Sequence, residues 1–120
     1  MKIHIPSDCG NAPRIGVVSD FVSAWAKNDV ELLAGWVTDD VTWLMIGTGS
    51  SIGSDALADA VPGIEADALH LQSVITHGRL AACDCYLEVD TRLFFSHVFR
   101  FKNTAKTSKI AEIRTYLIRD

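Results

Sequence analysis

The chain has 120 residues, 48% of them hydrophobic and 22% charged, with a net charge of −4. That is enough for one ordinary core and too little for two, so a single domain over 1–120 is expected, with 1–12 as an N-terminal extension. Lys and Arg are spread along the chain, which speaks against a nucleic-acid partner, and no segment carries the roughly 20 apolar residues of a bilayer span. MKIHIPSDCG lacks the apolar stretch of a signal peptide, so a cytoplasmic protein with no membrane partner is expected.

Asn11-Ala12-Pro13 reads as a helix start, with Asn as cap and Pro in the first turn, where its missing N–H does no harm. Ile15, Val18, Phe21, Val22 and Trp25 follow at three- and four-residue steps and predict one buried face of a helix running to about Lys27. After Asn28-Asp29 a shorter helix carries Leu32, Leu33, Trp36 and Val37 inward and ends at Thr38-Asp39-Asp40. Val41 to Ile46 is β-branched and aromatic and is closed by GTGSSIG, which predicts a strand with Val41, Trp43 and Met45 on one face. A third helix is expected from Ser54 to Pro62-Gly63. Four strand-like runs follow, Leu69–His77, Leu80–Val89, Leu93–Lys102 and Lys109–Ile118. Helices first and antiparallel strands after them predict an α+β fold with the helices on one face of the sheet.

The phrases AKNDVELLAGWVTDDVTW, SIGSDAL, the ITHG bend, HVFRFKN and KIAEIRTYLI, in this order, resemble the nuclear-transport-factor-2-like superfamily. Its members include ketosteroid isomerases, SnoaL-like polyketide cyclases and scytalone dehydratase. The resemblance covers most of the chain and implies a cone-shaped, curved antiparallel sheet wrapped around the N-terminal helices, a cystatin-like roll enclosing a pocket. It also implies a homodimer through the outer sheet face. Laid over the ketosteroid isomerase pattern, the oxyanion-hole tyrosine falls on Phe21, the catalytic aspartate on Met45 and the protonated aspartate on His97, two residues before Phe99-Arg100-Phe101. That chemistry needs a base and an acid kept neutral by its site. Phe and Met supply neither. Asp39 and Asp40 fall at a helix-to-strand turn of the family, where short carboxylates bond nearby backbone N–H groups.

A hairpin between the second and third of the late strands, closed by two residues at Asp90-Thr91 or by four at Val89–Arg92, pairs Asp84 with His97, Tyr86 with Phe95 and Ala82 with Phe99. A three-residue loop slips this register by one and turns Asp84 away. In the first register, with His97 aimed into the pocket as the resemblance implies, the two Cβ atoms stand about 5 Å apart. A carboxylate there fixes the imidazole tautomer and raises its basicity while desolvation opposes it, so Asp84 and His97 form a candidate catalytic acid–base pair worth about 10² to 10⁴ in rate. The alternative is a satisfied buried polar pair with no chemistry. Phe21, Trp25, Trp43, Met45, Tyr86, Phe95 and Phe99 are the candidate ligand-binding wall, with Thr115 on its floor. His70 stands where a scytalone-dehydratase-like enzyme places a pocket histidine.

Of the three cysteines, Cys83 and Cys85 lie about 6.6 Å apart in a strand-like run, near the upper limit for a bridge. Without a second Cys or His pair at zinc spacing they read as reduced, small, buried apolar residues, and no metal is expected. GTGSSIG lacks the strand, glycine loop and helix context of a phosphate cradle, so no cofactor is implied. Three functions remain: an isomerase, cyclase or dehydratase acting on a small apolar molecule, a ligand-binding protein without chemistry, or a dimeric interaction module with a filled pocket. An open cavity favours the first two and a collapsed core the third. Glu112, Arg114 and Tyr116 with Phe94, Val98 and Arg100 make the mixed apolar and charged outer face that suits a homodimer.

Overall fold

The computed structural model describes residues 1–6 and 13–119. The expected cap at Asn11 and the third cysteine, Cys9, lie outside the described residues. Helix α1, Pro13–Ala26, buries Val18, Phe21, Val22 and Trp25, the face its spacing predicts. It stops at Asn28, which takes a left-handed φ of 60°. The Asp29 N–H then reaches back to the Ala24 carbonyl at 2.9 Å and the Asn28 N–H to that of Trp25 at 3.1 Å, so the last helical carbonyls are satisfied. Asp29 caps the next helix by accepting from the Leu32 N–H at 3.2 Å.

That helix, α2, is only Val30–Ala34, shorter than the spacing suggests. The Ile110 N–H donates to the Trp36 carbonyl at 2.9 Å and draws the chain into the sheet from Val37, four residues before the expected strand start. A neighbouring strand outranks the weak helical pattern here. Leu32, expected inside, is exposed. Asp39 and Asp40 lie within the resulting strand, both exposed, in a segment where the pairing is interrupted between Val37 and Thr42. They lie in a strand and not at the expected helix-to-strand turn.

The strands are β1 (Lys2–His4), β2 (Val37–Ile46), β3 (Ser50–Ile52), β4 (Ala68–His77), β5 (Leu80–Glu88), β6 (Arg92–Phe101) and β7 (Ile110–Arg119). They form one sheet in the order β1-β4-β5-β6-β7-β2-β3. Pairing is antiparallel except for β1 with β4 and β2 with β7. Lys2–His4, as β1, forms one edge of the sheet. Irregularities in the β4–β5 and β6–β7 ladders add local bend and twist, and the sheet curves around α1 without closing. The expected third helix is a 3-10 helix, Ser54–Asp59, with a non-helical kink at Ala56. It ends at Ala60, two residues before Pro62. Phe21, Trp25, Trp43, Phe99 and Phe101 are among the largest fully enclosed side chains and fill the space between helix and sheet.

The β5–β6 loop decides which side chains share that space. It has three residues, Val89, Asp90 and Thr91, and the Val89 N–H donates to the Thr91 carbonyl at 3.0 Å. Cys83 therefore faces His97, Cys85 faces Phe95 and Asp84 faces Ser96.

Candidate functional site

His97 and Thr115 are direct cross-strand partners on β6 and β7, and Met45 on β2 is the parallel partner of Thr115. The alternation of each strand turns His97, Thr115 and Trp43 to the side that α1 covers. All three are essentially sealed from solvent, at 0%, 1% and 0% exposure. The Trp43 indole N–H donates to Thr115 Oγ1 at 2.7 Å, and Thr115 Oγ1 lies 2.7 Å from His97 Nδ1. Four aromatic rings surround the imidazole: Trp25 edge-on at 4.7 Å between centroids, Phe95 at 5.0 Å, Phe99 at 5.8 Å and Trp43 at 6.2 Å.

Proton counting assigns the tautomer. An indole N–H only donates, so it occupies one acceptor site of the threonine oxygen, whose own proton then donates to Nδ1. The imidazole hydrogen sits on Nε2. The opposite tautomer leaves both the threonine proton and the Nε2 lone pair without partners, one orphan more. Nε2 is buried and, among the described residues, has no hydrogen-bond partner. A buried donor in this state costs about 1 to 3 kcal/mol, which an apolar residue of similar shape would avoid. Burial also pushes the His97 pKa down from 6.5 to about 3, so the ring is neutral at physiological pH.

The other expected site residues divide between the two faces. Phe21, Trp25, Trp43, Phe95, Phe99 and Thr115 do gather around His97, and Met45 is half-buried against the same core. Asp84, Tyr86 and His70 do not. Asp84 is exposed on the outer face, where the Ser73 hydroxyl donates to its carboxylate. The acid–base pair of Asp84 with His97 is thus ruled out by the three-residue loop, which sets the two side chains on opposite faces of the sheet. Tyr86 is also turned outward and stacks on His70 at 4.4 Å, which stacks in turn on His4 at 4.4 Å and lies 3.0 Å from Glu88. Neither packs around His97. Cys83 and Cys85, by contrast, are buried, as expected, and burial foremost, with Cys83 and Asp84 beside it, pushes the Cys85 thiol up and keeps it protonated.

The outer face carries the other notable feature. A groove of about 210 Å³ runs between Gln72, Asp84, Phe94, Ser96, Tyr116 and Ile118, with apolar walls. Tyr116 is 41% and Ile118 70% exposed. Beside them Glu112 contacts Arg114 at 2.5 Å and Arg100 at 3.6 Å. A larger hollow of about 400 Å³ lies at the β5–β6 loop among Asp67, Glu88, Asp90 and Arg92, remote from the chamber, and carries no convergent chemistry.

Sequence reasoning missed two contributors to the packing around His97 and Trp25. Cys83 opposes His97, and the absence of glycine in Asp90-Thr91 was a signal against the two-residue turn that would have put Asp84 there. The Ala60 carbonyl, which accepts from the Trp25 indole N–H at 2.8 Å, has no sequence signature.

An α+β roll whose first helix plugs a curved sheet is the class these elements define. No protein-family model matches the chain, and no curated protein matches it. Solved structures do. A nuclear-transport-factor-2-like protein of unknown function from Burkholderia xenovorans LB400 aligns with a TM-score of 0.71 at 16% identity, over 88% of this chain and 81% of that one. A protein provisionally described as a ketosteroid isomerase, from Kribbella flavida DSM 17836, aligns at 0.69 and 15% identity, over 88% and 77%. The epoxide hydrolase/cyclase-like enzyme SalBIII, with a role in pyran ring formation in the polyether salinomycin, aligns at 0.69 and 17% identity, over 88% and 90%. The fold is that of the nuclear-transport-factor-2-like superfamily. Such folds host many functions, so what this chain does rests on its own side chains. Among the described residues no helix is long and apolar enough to cross a membrane.

Proposed function

We propose that the chain works as a self-pairing interaction module, with the outer sheet face as its working surface. The observation that carries this is the contrast between the two faces. The chamber is filled by its own aromatic rings, whereas Phe94, Tyr116 and Ile118 leave an apolar groove on the outside. Exposed apolar patches of this kind mark contact surfaces. An apolar groove with charges of both signs beside it, Glu112 with Arg100 and Arg114, can meet its own copy across a two-fold axis. A stable pair buries about 800 Å² on each partner. Sedimentation equilibrium tests the reading. The wild-type chain is expected to have the mass of a dimer at micromolar concentration, and Ile118→Lys with Tyr116→Lys that of a monomer. A wild-type monomer overturns it.

One observation favours a second reading, in which the chamber admits a small molecule. Among the described residues the sealed Nε2–H of His97 has nothing to donate to, and an uncharged acceptor in an aromatic enclosure is what it fits. With no carboxylate beside it and its pKa held low, this imidazole orients a ligand rather than moving a proton. Binding that is lost in His97→Phe but kept in Asp84→Asn supports this reading, and the reverse pattern contradicts it.

A further inference from the structure

Trp25, on α1, lies against His97, and its position is fixed at two points. Its ring meets the imidazole edge to face at 4.7 Å and packs against Phe95 at 4.2 Å. Its indole N–H is tied to the carbonyl of Ala60, the residue that ends the 3-10 helix. That helix is the least regular element of the layer: six residues, with Ala56 at φ −131° and ψ 30°. A 3-10 turn of this kind has poorer hydrogen-bond geometry than an α-helix and yields more readily.

We propose that Trp25 is a removable plug over His97, latched by the Ala60 carbonyl, and that the chamber opens when a planar, uncharged molecule with one hydrogen-bond acceptor takes the indole's place. This rests on the second reading above, that the chamber admits a small molecule. The ligand class follows from the surroundings. The Trp43–Thr115–His97 chain sends its protons one way and leaves a donor at Nε2, so the ligand must accept. The rings of Phe95 and Phe99 and of Trp43 select a flat apolar body. The apparent affinity of such a site is lowered by the fraction of time that the plug is seated. Weakening the latch therefore tightens binding, opposite to what loss of a wall residue does.

Titration of the full chain, labelled with ¹⁵N, with acetophenone and with its isostere α-methylstyrene, which lacks the acceptor, tests this. Acetophenone is expected to shift the His97 Nε2 resonance. It is also expected to expose the Trp25 indole N–H to exchange with water, while that of Trp43 stays protected. The isostere is expected to bind about tenfold more weakly. Trp25→Phe keeps a ring but loses the latch, and is expected to bind acetophenone about fivefold more tightly than wild type. Unchanged affinity in Trp25→Phe, or a Trp25 N–H that stays protected on binding, overturns the latch and leaves the chamber reading standing. No binding to either protein overturns both. Equal affinity for the two probes contradicts the donor. Should Trp25→Phe not fold, the exchange of the wild-type indole decides alone.

Discussion

Thr115 holds its hydroxyl oxygen 2.7 Å from Nδ1 of His97 while receiving the indole proton of Trp43 at the same distance, so one side chain satisfies two buried partners. Thr115→Val keeps the shape and strands both. Unfolding in urea is expected to show a loss of about 2 to 4 kcal/mol, against under about 1.5 for Thr115→Ser, which keeps the hydroxyl. Equal losses for the two variants would mean that the methyl rather than the hydroxyl matters.

The same enclosure makes acid costly. Burial lowers the His97 pKa from 6.5 to about 3. Below pH 6.5 the unfolded chain gains a proton at this residue that the folded chain refuses until about pH 3. Its contribution to stability is therefore full above pH 6.5 and is lost progressively toward pH 3. His97→Phe removes the titrating group. Between pH 7 and pH 4 its stability relative to wild type is expected to rise by on the order of 3 kcal/mol. Parallel curves for the two proteins in urea unfolding across this range contradict the assignment.

Asp84 contacts Ser73 on the exposed face and nothing in the chamber. Asp84→Asn is accordingly expected to cost no more than about 1 kcal/mol and to leave the His97 Nε2 resonance unmoved. A displaced resonance would show coupling through the sheet.

The split between what the chain discloses and what it hides follows from the range of the interactions. The face of α1 was legible from Val18, Phe21, Val22 and Trp25 because helical periodicity is local. The four late strands were legible from their β-branched and aromatic runs, and the family phrases carried their order. The end of α2 was not, since Val37 joins the sheet through a partner at Ile110, far along the chain. The surroundings of His97 were read in part. His97, Thr115, Trp43 and Phe99 follow from one strand each, but the choice between Asp84 and Cys83 hung on one loop residue. A slip of a single position exchanges every side chain between the faces, which is how Tyr86 and Asp84 came to lie outside. His70 went the same way, and its stack with His4 depends on the parallel edge strand β1, which no local pattern announces.

The working surface is tested most directly by nuclear Overhauser contacts between copies, in a sample that mixes labelled and unlabelled chains. Pairing through the outer face predicts intermolecular contacts from Phe94, Val98, Tyr116 and Ile118, all lost in Ile118→Lys with Tyr116→Lys. An absence of intermolecular contacts at millimolar concentration, or contacts confined to α1 and α2, would contradict it.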